Sequence, residues 1–100
     1  MTLRQLDPIP PGEILQEEFM LPLGLSINAL ARALDVPPNR ISAIVKGERA
    51  ITADTALRLG KYFGVSPELW LGLQADYQLR LAKRDLWPQI DAQVSRRATA

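Results

Sequence analysis

The sequence predicts an all-α domain of five helices. Three observations carry that prediction. Proline, serine and glycine punctuate the chain at helix-length intervals, apolar residues recur three and four apart between them, and no region is rich in strands. The one departure lies near the end, where Ile90, Ala92 and Val94 alternate in a manner compatible with a short C-terminal strand. The expected organisation is an N-terminal extension at 1–10, a helical domain at 11–86 and a tail at 87–100.

The first helix should run from about Pro11 to Met20. Pro10-Pro11-Gly12-Glu13 puts proline at the start and an acid in the first turn, and Ile14, Leu15 and Phe19 keep helical spacing. Pro22 and Gly24 close it. Ser26 is an N-cap for the second helix, in which Ile27, Leu30, Ala31 and Leu34 share a face. The third helix begins at Pro37-Pro38, because proline tolerates only a first turn, and it ends near Gly47. The fourth opens at Thr52 with Asp54 in its first turn and stops between Phe63 and Gly64. Ser66-Pro67-Glu68 starts a long fifth helix, expected at 66–86, and Pro88 should prevent smooth continuation.

Bulk properties exclude several functions. One hundred residues make one domain, and 47% hydrophobic with 23% charged residues is globular rather than disordered composition. No apolar run could span a bilayer, and the opening MTLRQLDPIPPGEIL lacks a secretory apolar region. Without cysteine there are no disulfides, and a reducing cytoplasm is the default. Histidine is absent as well, which removes the common zinc sets, Cys–His nucleophiles and Ser–His–Asp triads. The acids are dispersed and no glycine-rich phosphate loop is present, so no catalytic residue, metal ligand or cofactor is expected.

Net charge is only +1, but it is unevenly spread. Residues 1–25 set Arg4 against Asp7, Glu13, Glu17 and Glu18. Residues 26–61 set Arg32, Arg40, Lys46, Arg49, Arg58 and Lys61 against Asp35, Glu48 and Asp54. A solvated mixed surface explains charge alone. The basic excess nevertheless coincides with a helix-turn-helix at 26–47, since the short link between Leu34 and Pro38 forces two short helices to cross steeply.

In that unit Leu30, Leu34, Val36, Ile41 and Ile44 take the apolar positions, with small Ala31 at the closest approach. Turning Ile41 and Ile44 inward puts Asn39, Arg40, Ser42, Ala43 and Lys46 on the outer arc. Such an arc suits DNA. The start of a recognition helix enters the major groove, where Asn pairs with adenine, Arg forks onto guanine and a methyl group meets thymine. Lys46 and Arg49 would then lie near phosphates, and Ser26, Asn28 and the amides opening the second helix could hold another.

The stretch from Ser26 to about Phe63 resembles the Cro/lambda-repressor type of helix-turn-helix. With PPGEIL (10–15), LPLGLS (21–26) and ITADTALRLGKYFGVSPELWLGLQADYQL (51–79), the chain more specifically resembles the HigA family of antitoxins. That resemblance implies a five-helix lambda-repressor-like fold, a cognate toxin that is usually an mRNA-cleaving ribonuclease, and repression of the operon encoding both. One departure is Asp35, which stands in the turn where glycine is usual; Asp tolerates the left-handed region better than most side chains. The double proline also removes two backbone donors from the start of the third helix.

The fifth helix carries two apolar stripes. Trp70, Leu73, Tyr77 and Leu81 form one, and Leu71, Ala75, Leu79, Ala82 and Leu86 form the other, about 140° away. One stripe belongs to the core, with Trp70 and Tyr77 the better candidates; the second is expected to make a homodimer that presents two recognition helices to a palindromic operator. Ile90 to Val94 could pair across the same interface. Glu13, Glu17 and Glu18 could attract a basic ribonuclease, but helix-dipole compensation and a solvated face explain them better. Two other readings stay open: a repressor of the same fold without a toxin, and a helical protein-interaction module.

Overall fold

Helices open at Pro11, Ser26, Pro38 and Ser66-Pro67, where the sequence places their starts. In the computed structural model, which describes residues 7–98, α1 covers Pro11–Ile14 and continues as a π-helical stretch, Leu15–Met20. It is followed by α2 (Ile27–Leu34), α3 (Pro38–Val45), α4 (Ala53–Phe63) and α5 (Pro67–Gln93). Residues 1–6 of the expected extension and 99–100 of the expected tail lie outside the described residues. No helix of the described residues is long and apolar enough to cross a membrane.

The caps follow local chemistry. Ser26 Oγ accepts a hydrogen bond from the Ala29 amide at 3.0 Å, and Ser66 Oγ accepts from the Glu68 amide at 3.1 Å. Asp35 closes α2 in the left-handed conformation (φ 57°, ψ 50°), which lets the Val36 amide reach back to the Ala31 carbonyl at 3.0 Å. Gly64, at φ 73°, closes α4 in the same manner.

Two expectations about helix geometry are corrected. The first helix is not α-helical to Met20. Leu15 and Met20 are both buried, yet at 100° per residue an α-helix would set them about 140° apart. The wider turn brings both inward, and the Leu21 amide accordingly donates to the Gln16 carbonyl, five residues back. The second correction concerns the C-terminus. Ile90–Val94 is not a strand, because α5 passes through Pro88 and ends at Gln93, and only Val94 is extended. Proline removes one donor and crowds one turn, whereas strand pairing needs a partner edge, and no strand exists among the described residues.

The core gathers Leu15 and Met20 from the first helix, Leu30, Ala31 and Leu34 from α2, and Ile41 and Ile44 from α3. Ile51, Ala56, Leu59 and Trp70 complete it, and Val36 packs against it half-buried. Phe19 lies 4.8 Å from Trp70 and 5.0 Å from Phe63, ring centre to ring centre, so the π-helical turn joins α4 to α5. The Cα radius of gyration is 17.1 Å, against about 13 Å for a compact 100-residue domain. The excess reflects α5, whose residues from Lys83 onward are all exposed.

Candidate nucleic-acid interface

α2 and α3 pack through the residues expected to hold them. Leu30, Ala31, Leu34, Ile41 and Ile44 are all buried, which fixes the rotation of α3. Asn39 and Lys46 are exposed, and Ser42 and Ala43 are half-buried on the same outer side. Pro37 and Pro38 cap and open α3, so Asn39 and Arg40 occupy its first turn.

α1 buttresses the other end of α3. A Cβ on Gly12 would run into the Ile44 carbonyl and lie 2.9 Å from Val45 Cα, so only glycine lets the two backbones approach this closely. After Lys46 the chain turns at Gly47, φ 77°, and the Glu48 and Arg49 amides both donate to the Ala43 carbonyl, at 2.8 and 3.2 Å. Arg49 is exposed beside the helix end. Where this loop enters the core, the buried Ile51 amide donates to Gln74 Oε1 at 2.8 Å. Gln74 was not among the sequence candidates; a polar residue one position beyond the apolar Leu73 gave no signal of a partner on the loop that carries Arg49.

Ser26 and Asn28 stand exposed at the opening of α2, with Ser26 Oγ already engaged as the cap. Arg40 differs from its neighbours on α3. Its Nη1 donates to Asp54 Oδ1 on α4 at 3.1 Å, and its Nε is buried without a partner. The same Oδ1 accepts from Arg58 Nε at 2.7 Å, and Arg58 Nη1 donates to the Leu34 and Asp35 carbonyls at 2.8 and 3.3 Å. Arg58 therefore ties α4 to the turn between α2 and α3. The hydrogen bond from Arg58 holds the Asp54 carboxyl below its ordinary pKa, with the positive charges of Arg58 and Arg40 adding to the effect. The Arg58 guanidinium is raised in return, chiefly by the same hydrogen bond. The sequence marks Asp54 only as a first-turn acid and Arg58 only as part of the basic excess, and nothing in its spacing pairs either with Arg40.

α5 separates its two stripes. Trp70 is fully buried and Leu73, Tyr77 and Leu81 are half-buried, which makes this the core side. Leu71 and Ala75 are exposed, as are Leu79 at 55% and Leu86 at 49%, while Ala82 is half-buried. Trp87 and Ile90 are exposed further along the helix, and Val94 just past its end. Glu13, Glu17 and Glu18 are exposed on the first helix.

The Helix-turn-helix family matches residues 17–70. Virulence-associated protein I of Dichelobacter nodosus is 53% identical over 81 residues, which cover 81% of this chain and 75% of that protein. A HigA-family addiction module antidote protein from Coxiella burnetii superposes with a TM-score of 0.87 at 47% identity, covering 92% of this chain and all of that one. The Pseudomonas aeruginosa antitoxin HigA, solved with the higBA promoter, superposes with a TM-score of 0.88 at 42% identity over 91% of this chain and 99% of that one.

Proposed function

Because this chain belongs to the helix-turn-helix family, among the DNA-binding HigA antitoxins, we propose that it represses its own operon as a two-fold dimer and neutralises a cognate ribonuclease toxin. The family is one of DNA-binding proteins, not of enzymes. The observation that carries the DNA reading is the rotation of α3. With Ile41 and Ile44 buried, the outward side is left to Asn39, Ser42, Ala43 and Lys46, with Arg40 in the first turn. Asn39 and Arg40 are the groups suited to adenine and guanine edges, Ser42 and Ala43 permit close approach to bases, and Lys46, Arg49, Ser26 and Asn28 meet phosphates.

Dimerisation is supported by the exposed side of α5. Leu71, Ala75, Leu79, Ala82 and Leu86 form the interface in this reading, and a dimer doubles the central basic excess of a nearly neutral chain. It also sets two copies of α3 about 34 Å apart, the spacing of one DNA turn. The work is done in the cytoplasm, where operator and toxin are both found.

Footprinting on DNA upstream of the chain's own gene tests the reading. The expected result is a protected palindrome with half-sites one turn apart, lost in the Asn39→Ala/Arg40→Ala variant. Equal, weak and sequence-indifferent binding by both proteins would refute direct readout by α3. A small basic protein encoded next to this gene should co-purify with the chain; without such a partner the protein is a repressor without a toxin.

A further inference from the structure

Arg40 is the strongest base-reading group on α3, and it is already occupied. A guanidinium forks onto guanine through two N–H groups on one edge. One such edge includes Nε, which is buried; the other includes Nη1, which donates to Asp54. In this arrangement one edge is closed and the other is drawn toward a carboxylate instead of a base. Its side chain is 25% exposed, whereas that of Asp54 is 58% exposed, so the carboxylate lies at the surface where DNA would arrive.

We propose that Asp54 is a positioning residue for DNA reading: it withholds Arg40 from DNA unless the base sequence offers a contact good enough to take the guanidinium from the carboxylate. The proposal rests on the reading of α3 as the recognition helix. Asp54 suits the role because it is anchored independently of Arg40. Arg58 grips the same Oδ1 at 2.7 Å and is itself held by the Leu34 and Asp35 carbonyls, so the carboxylate keeps a partner when Arg40 leaves. Release of Arg40 therefore orphans no charge. An exposed ion pair of this kind is weak. It can outweigh an imperfect contact on arbitrary DNA, but it yields to a bidentate guanine contact. The ion pair thus taxes non-specific complexes more than specific ones, and discrimination rises without any contact between Asp54 and a base.

The test is equilibrium binding of the full chain to two duplexes, the footprinted site and a shuffled version of it, over a range of salt. Asp54→Asn is nearly isosteric, and thermal unfolding checks that it folds. The expected result is that Asp54→Asn tightens binding to shuffled DNA by about two- to fivefold more than binding to the site. The salt slope on shuffled DNA should steepen by about 0.9, one added phosphate contact. Both changes should disappear when Asp54→Asn is made in an Arg40→Ala background. Persistence there would mean that Asp54 acts by repelling phosphates, and would overturn the proposal. So would an unchanged preference in Asp54→Asn. If wild type itself shows no preference for the site, the reading of α3 fails and takes this proposal with it; a wild-type preference that Asp54→Asn leaves unmoved sinks the Asp54 role alone.

Discussion

Gln74 joins α5 to the loop after α3 through one hydrogen bond, from the buried Ile51 amide to its Oε1. Removing the acceptor leaves a backbone donor in the core with nowhere to turn. Gln74→Ala is expected to cost about 1–3 kcal/mol of stability, the penalty for an unsatisfied buried polar group. Gln78→Ala, on the exposed side of the same helix, should stay within about 0.5 kcal/mol of wild type. Urea denaturation of the two variants decides it, and equal midpoints would show that the bond carries no weight. Asp54 and Arg58 illustrate a related point. Both sit near the surface, yet together they tie α4 to the first turn of α3 and to the turn before it.

α1 and α3 meet backbone to backbone at Gly12, and this contact seats the end of α3. Gly72 offers the contrast, since it lies exposed in α5 with open space where a Cβ would go. Gly12→Ala is expected to destabilise by about 1–3 kcal/mol through overpacking, and to weaken DNA binding as α3 is pushed from its seat. Gly72→Ala should instead stabilise by about 0.5–1 kcal/mol, because alanine loses less backbone entropy in a helix. Denaturant midpoints with parallel binding titrations distinguish them; a neutral Gly12→Ala would mean that the first helix does not position α3. At this scale the helix starts were legible in Ser26, Pro38 and Ser66-Pro67, because capping is local chemistry. The π-helical turn was not, because it answers the packing of Leu15, Phe19 and Met20 against other helices. The passage of α5 through Pro88 was missed because a single proline weighs against a helix locally without deciding its end.

α5 extends well beyond the rest of the molecule, and Leu71, Ala75, Leu79 and Leu86 stand exposed along one side of it. A monomer gains nothing by holding such a side in water, whereas a second copy would bury it. Sedimentation should therefore find about twice the 11.1 kDa chain mass, and Leu79→Glu/Leu86→Glu should return the mass to that of one chain. That variant should also lose most operator affinity, since one half-site offers only half of the contacts. A wild-type monomer at concentrations that bind DNA would refute the dimer.

What the sequence determined by itself was local and periodic: five helices, their starts, the left-handed turn at Asp35, and the inward Ile41 and Ile44 that orient α3. Helical geometry converts those positions into an outer arc without knowledge of anything distant. The tertiary structure decided what that arc is free to do. Asp54 is fourteen residues from Arg40 and Gln74 is twenty-three from Ile51, and neither pairing leaves a trace in spacing or composition. Such partners meet only once α4 and α5 have packed, so hydrogen bonds between elements, rather than patterns within them, decide which side chains of α3 are already engaged.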